Sequence, residues 1–164
     1  MIVNILPIQD SHAQAAIELI LNIQQKEFNV PITLEDQPDL LQIQDFYYTD
    51  GGCFWGAFID NKLVGTIALI KFDNEAGAIR KMFVKKEFRG KELSVAQHLL
   101  ETLTAYAREN GLNNLYLGTI TKLEAALRFY ERNSFVRIEK TELPKAFPLM
   151  SADNVFCHLT LNPA

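Results

Sequence analysis

AIRKMFVKKEFRGKELSVAQHLLETLTAYAREN, from Ala78 to Asn110, contains the turn from which the fold can be read. Its opening, centred on Ile79 to Val84, is β-like and reads as a strand. Its last part carries Ala96, Leu99, Leu100, Leu103 and Ala107 at spacings of three and four, an apolar stripe suited to a helix lying on a sheet, and Gly111 closes it. Between the two, Phe88-Arg89-Gly90-Lys91 runs as a short basic loop into the helix. A helix N-terminus presents unpaired N–H groups and positive dipole charge, and Gly90, with no Cβ, lets the backbone come close to a ligand. The loop therefore fits a phosphate seat. It fits equally an ordinary turn with solvated charges, since neither the P-loop pattern nor the dinucleotide glycine pattern occurs.

On the N-terminal side, IVNILPI alternates as a strand, and Asp10-Ser11 can cap a helix that starts near His12 and holds its register to about Phe28. The stretch VPITLEDQPD breaks that register before a second, shorter helix at about Asp39 to Tyr48. GGCFWGAFID and KLVGTIALIKF read as strands joined through Asp60-Asn61, a hairpin signal, and Asn74 to Gly77 reads as the next turn. On the C-terminal side, NNLYLGTI is a strand and KLEAALRFYERN a helix with Leu123, Ala126, Leu127 and Tyr130 in register. SFVRIEK and NVFCHLTL complete the strands. The order predicts an α/β layered domain with a mixed sheet.

At 164 residues the chain is expected to form one domain over 1–164, with 48% apolar and 22% charged residues and a net charge of −4. That balance disfavours nucleic acid as a partner. Cys53 and Cys157 fall in no metal or disulfide spacing and read as buried small hydrophobes, so no metal is expected. No apolar run reaches the roughly 20 residues of a bilayer span, and the start lacks a signal-peptide pattern, so no membrane partner and a cytoplasmic location are expected. Monomer and homodimer both stay open.

The quoted stretch resembles the central motif of the GNAT superfamily of acetyl-coenzyme A dependent N-acetyltransferases, and the order of elements is similar. The resemblance runs from about Phe54 to Phe135. It implies a single-domain GNAT-like fold, with a mixed, mostly antiparallel sheet of about six to seven strands flanked by about four helices. In the family the central strand ends in a hydrophobic triplet that binds the pantetheine arm, here Met82, Phe83 and Val84. The following turn, Arg/Gln-x-x-Gly-x-Gly/Ala, holds the pyrophosphate, and its register falls on Arg89, Gly90, Lys91, Glu92, Leu93 and Ser94. ALRFYERNSF is similar to the family's Ala-x-x-Phe/Leu-Tyr-x-x-x-Gly-Phe and places the family tyrosine at Tyr130. Three departures stand out: Glu92 and Ser94 replace small motif residues, and Ser134 replaces the glycine before Phe135. Ala78 stands where many relatives carry a glutamate.

The implied reaction is direct attack of a primary amine, from a small molecule or a protein, on acetyl-coenzyme A, with Tyr130 as general acid to the leaving thiolate. On periodicity alone Tyr130 is a core residue of its helix. The resemblance also implies that the acceptor is chosen by the first two helices and the loop before the last strand. There Glu27, Phe28, Glu35 and Asp36 in the first segment, with Phe147 and Asp153 in the second, would suit a cationic amine. As a base, Asp73, Glu75 and His158 are candidates, and no choice among them follows. The competing class is a binding module that keeps the fold as an acyl-coenzyme A sensor.

Overall fold

The structure, a computed structural model, describes residues 1–161. Seven strands form one mixed sheet: β1 (Asn4–Pro7), β2 (Cys53–Ile59), β3 (Lys62–Lys71), β4 (Ala76–Val84), β5 (Asn114–Thr119), β6 (Val136–Ile138) and β7 (Val155–Thr160). Their spatial order is β1-β2-β3-β4-β5-β7-β6, and every neighbouring pair is antiparallel except β4 with β5. The expected hairpin forms at Asp60-Asn61, where both residues take positive φ, 51° and 64°, as the right-handed twist of the flanking strands requires.

Three α-helices, α1 (Ala13–Leu21), α2 (Val95–Glu109) and α3 (Glu124–Arg132), and a helical segment within 38–48 cover the two faces. The pleat decides which residue goes where. Phe54 and Ala68 pack with Ile20 of α1 and with Leu40, Ile43 and Tyr47, while Trp55, Ile67 and Leu69 pack with Leu99 and Leu103 of α2 on the other face. The stripe read from the sequence is the buried face of α2, with Gly111 beyond its end at φ 76°.

Three local expectations change. Asp10-Ser11 does not cap α1; residues Asp10–His12 form a 3-10 turn, and Asp10 Oδ1 accepts the Gln44 amide at 3.4 Å, so it ties two segments together. The helix read to Phe28 leaves α geometry after Leu21 and continues as a π turn over Asn22–Glu27, and the second helix is a 3-10 turn at Pro38–Leu41 followed by a π turn at Gln44–Tyr48. No helix among the described residues is long and apolar enough to cross a membrane.

Candidate active site

Parallel β4 and β5 pair only over Ala76–Ala78 with Asn114–Tyr116, then diverge. A bulge in β4 accompanies the divergence. Lys81 sits at φ 54°, and the β3 register jumps so that Ala68 faces Arg80 while Thr66 faces Phe83. Thr66 is wholly buried and its hydroxyl donates to the Lys81 carbonyl at 2.6 Å, satisfying an acceptor that the bulge takes out of the ladder. Beyond Ala78 the pairing ends, and residues of both strands line a cleft of about 150 Å³.

Met82 and Phe83 line this cleft from β4, and Leu117 to Ile120 line it from β5 and its end. Tyr130 and Ala126 close one side from α3. Tyr130 is 5% exposed, and burial pushes its phenol well above the ordinary tyrosine value, with the Cys157 thiol adding to the shift. Val84 is buried next to the cleft, and its carbonyl accepts Arg89 Nε at 2.8 Å.

The opposite side is polar at its base. Lys81 Nζ is nearly enclosed, donates to Gln37 Oε1 at 2.5 Å and lies 3.6 Å from Asp39 Oδ2, which also accepts the Tyr47 hydroxyl at 2.5 Å. Desolvation pulls the Lys81 ammonium below the usual lysine value, Asp39 opposes that, and the neighbouring Arg80 charge adds to it. Arg80 donates to the Pro148 carbonyl and so holds the loop that follows β6. Asp153, on that loop, lines the cleft; burial raises its carboxyl above the ordinary range, while Arg80 and Lys81 pull it down.

The basic loop enters α2 through two residues of positive φ. Gly90 stands at φ 122° with open space around the missing Cβ, and Ser94 takes a left-handed conformation at φ 49° as the N-cap of α2. The Ser94 hydroxyl donates back to the Lys91 carbonyl at 2.8 Å. Lys91 and Glu92 are exposed, and Leu93 packs partly against the α2 core. Arg89 makes a two-pronged pair with Glu27 and stacks over Phe28, its guanidinium 5.8 Å from the ring centre.

Several side chains read from the sequence therefore do other things. Glu27, expected to face a cationic amine, is engaged by Arg89. Asp36 is spent on its own turn, accepting the Thr33 amide and hydroxyl. Phe147 is buried with Phe72 and Tyr116 and does not line the cleft, whereas Phe28 does. Of the base candidates, Asp73 and Glu75 lie in the β3–β4 turn, and His158 stacks on Tyr116 at 4.4 Å and bonds Asn114 Oδ1; none lines the cleft. The enclosed Lys81, Gln37 and Asp39 were not foreseen. Only the apolar setting of the Arg80-Lys81 pair within a central strand signals them.

The profile of the acetyltransferase (GNAT) family matches residues 17–135. A Xenopus tropicalis protein named "Probable N-acetyltransferase camello" is 32% identical over 110 residues, which is 65% of this chain and 49% of that protein. N-acetylaspartate synthetase of Xenopus tropicalis is 29% identical over 106 residues, 63% of this chain and 38% of that protein. The chain thus spans about half or less of the length of these curated relatives. The crystal structure of a GNAT-family acetyltransferase from Staphylococcus aureus MU50 superposes with a TM-score of 0.94 at 40% identity, covering 98% of this chain and 100% of that one. PaiA N-acetyltransferase of Thermoplasma acidophilum, solved in complex with coenzyme A, gives a TM-score of 0.72 at 16% identity over 98% and 100% of the two chains, a likeness of fold alone.

Proposed function

The chain belongs to the acetyltransferase (GNAT) family, and from that premise we propose that it transfers the acetyl group of acetyl-coenzyme A to a primary amine by direct attack within a ternary complex. The observation that carries the reading is the gap between β4 and β5. Two strands that stop pairing inside a sheet leave backbone donors and acceptors able to bind an extended amide-bearing chain as another strand would. The pantetheine arm has that chemistry. Met82, Phe83 and Val84 would hold it, the Phe83 amide would meet the thioester oxygen, and the amides of the 89–94 turn at the start of α2 would hold the pyrophosphate. Exposed Glu92 is free to point to water.

Tyr130 faces the departing sulfur in this arrangement. A thiol has an ordinary pKa near 8.5, so a phenol raised above its usual value of about 10 does not give its proton up to the thiolate at equilibrium. Its contribution is a hydrogen bond to developing charge, which a protonated phenol supplies across the working pH range. The acceptor that fits is a small-molecule primary amine, in line with the substrate that the name N-acetylaspartate synthetase carries for a relative.

Thermal unfolding with and without acetyl-coenzyme A, followed by thiol release over a panel of amines, tests the reading. A rise in melting temperature with amine-dependent thiol release is expected. Tyr130→Phe should lower kcat by about ten- to a hundredfold, the value of about 1.5–3 kcal/mol for a hydrogen bond to charge, with the coenzyme A affinity kept. A melting temperature unmoved by millimolar ligand would overturn both transferase and sensor; a shift without thiol release from any amine would leave the sensor.

A further inference from the structure

The transfer needs a proton acceptor, because a primary alkylammonium with a pKa of about 10.4 is almost wholly protonated near neutrality and its nitrogen has no lone pair to attack with. Position 78, where a glutamate would serve, holds a buried alanine. The cleft has another carboxylate. Leu115 and Leu117 point from β5 into the core that contains Tyr130, so Gly118 faces the opposite side of the sheet. There the Asp153 carboxylate occupies the space of the missing side chain: a Cβ built on Gly118 would overlap Asp153 Oδ2.

Resting on the acetyl-transfer reading, we propose that Asp153 is the catalytic base that takes a proton from the acceptor ammonium. Three bonds hold it in place. The Asp153 amide donates to the Met150 carbonyl at 3.2 Å, the Asn154 amide donates to the Thr119 carbonyl at 2.9 Å, and the Thr121 amide donates to Asn154 Oδ1 at 3.0 Å. Together they fix the turn before β7 to the end of β5, which is the rim of the gap. Around the carboxylate stand Arg80 and Lys81 from β4, with Asp39 and Tyr47 behind Lys81. The stacked pair Tyr116 and His158 lies further along the same strands, and Tyr130 lies across the cleft.

The steps balance. The ammonium gives one proton to Asp153, and the nitrogen lone pair then forms the N–C bond while the C–S bond breaks with its electrons on sulfur. The second nitrogen proton neutralises the thiolate, leaving amide and thiol, and Asp153 returns its proton to solvent. Burial, which lifts the Asp153 carboxyl above the ordinary range, makes it a stronger base than a surface aspartate, while the Arg80 and Lys81 charges favour its ionised form.

The test compares ethylamine, protonated near neutrality, with trifluoroethylamine, which is already neutral there. Asp153→Asn should lower kcat/KM for ethylamine by about 10²–10⁴-fold, the usual value of a general base, and lower it for trifluoroethylamine by less than about tenfold. The rate of the variant with ethylamine should climb with pH as the free amine does, and the coenzyme A Kd should stay unchanged. Asp153→Glu should recover part of the loss. Gly118→Ala, which displaces the carboxylate, should reproduce the same selectivity between the two amines. Equal losses on both amines, or an unaltered pH profile, would overturn the role. If the wild-type chain binds acetyl-coenzyme A yet acetylates no amine, the acetyl-transfer reading falls and the proposal falls with it.

Discussion

Replacing Asp39 by asparagine removes one charge and little else, and its cost can be worked out from what surrounds Lys81. The Lys81 side chain is 4% exposed, its ion-pair partner is Asp39 at 3.6 Å, it donates to the neutral Gln37, and the Asp153 charge acts on it more weakly from beyond ion-pair distance. An asparagine carbonyl at that position can still accept the Tyr47 hydroxyl, so the change isolates the charge. Stripping the partner from a buried ion costs about 3–5 kcal/mol. There is also a ceiling, since Lys81 can fold uncharged for about 1.4 kcal/mol per pH unit below its unfolded pKa of about 10.4, which is about 4.6 kcal/mol near pH 7 and about 1.2 near pH 9.5. The sign follows from linkage. The folded pKa of Lys81 is lowered, so between that value and about 10.4 the unfolded chain binds more protons, and stability rises with pH. Urea unfolding followed by circular dichroism should therefore give a loss of about 3 kcal/mol for Asp39→Asn near pH 7, and no more than about 1 kcal/mol near pH 9.5. Lys81→Met should cost far less than Asp39→Asn, and the double variant should recover most of the loss. Equal losses at both pH values, or a Lys81→Met variant as unstable as Asp39→Asn, would refute the account of Lys81 as a buried charge held by Asp39.

Ser134 stands at φ 74° just past the end of α3, a conformation that costs an L-residue roughly 1–2 kcal/mol, so Ser134→Gly should stabilise the protein by about 1 kcal/mol. Differential scanning calorimetry should show a melting temperature about 2–4 °C higher, and an unchanged or lower one would count against strain at that residue. Arg89 spends its paired guanidinium nitrogens on Glu27, and that pair is part-exposed. If a pyrophosphate must draw Arg89 away, Glu27→Gln should tighten coenzyme A binding by about two- to fivefold in titration calorimetry, the worth of about 0.4–1 kcal/mol for such a pair; weaker binding would mean that Glu27 positions Arg89 for the ligand.

Features specified by neighbours in the chain were legible. The Asp60-Asn61 turn needs two residues tolerant of positive φ, and the α2 stripe needs only a 3.6-residue period. Ser134 was legible through the motif register, which puts a glycine where the backbone demands left-handed geometry. The π turns at Asn22–Glu27 and Gln44–Tyr48 were not, because their widening is settled by packing against the sheet and leaves an ordinary helical pattern in the residues. Long-range polar pairs were the least legible. Glu27 and Arg89 are 62 residues apart, and Lys81 and Gln37 are 44 apart, so each reads locally as one more solvated polar group.

The bulge at Lys81 also explains why an alanine at 78 is compatible with chemistry in this cleft. Ala78 lies in the last paired register of β4 with β5, facing Tyr116, and is fully buried. A glutamate there would place its carboxylate where the sheet is still closed, against the group formed by Phe72, Tyr116 and Phe147. The open part of the gap begins one residue later, where β4 contributes Ile79, Arg80, Lys81, Met82 and Phe83 and no carboxylate, so the proposed base comes from another element. Gly118 provides the space on β5, and the turn of 150–153 brings Asp153 into it from the face opposite Tyr130. On the proposed acetyl-transfer reading, a thioester lying in the plane of the sheet would meet amine and carboxylate on one side and present its leaving sulfur to the phenol on the other. Proton removal and charge stabilisation would then be separated by the sheet itself, so the Asp153 carboxylate would not set its charge against a thiolate forming beside Tyr130.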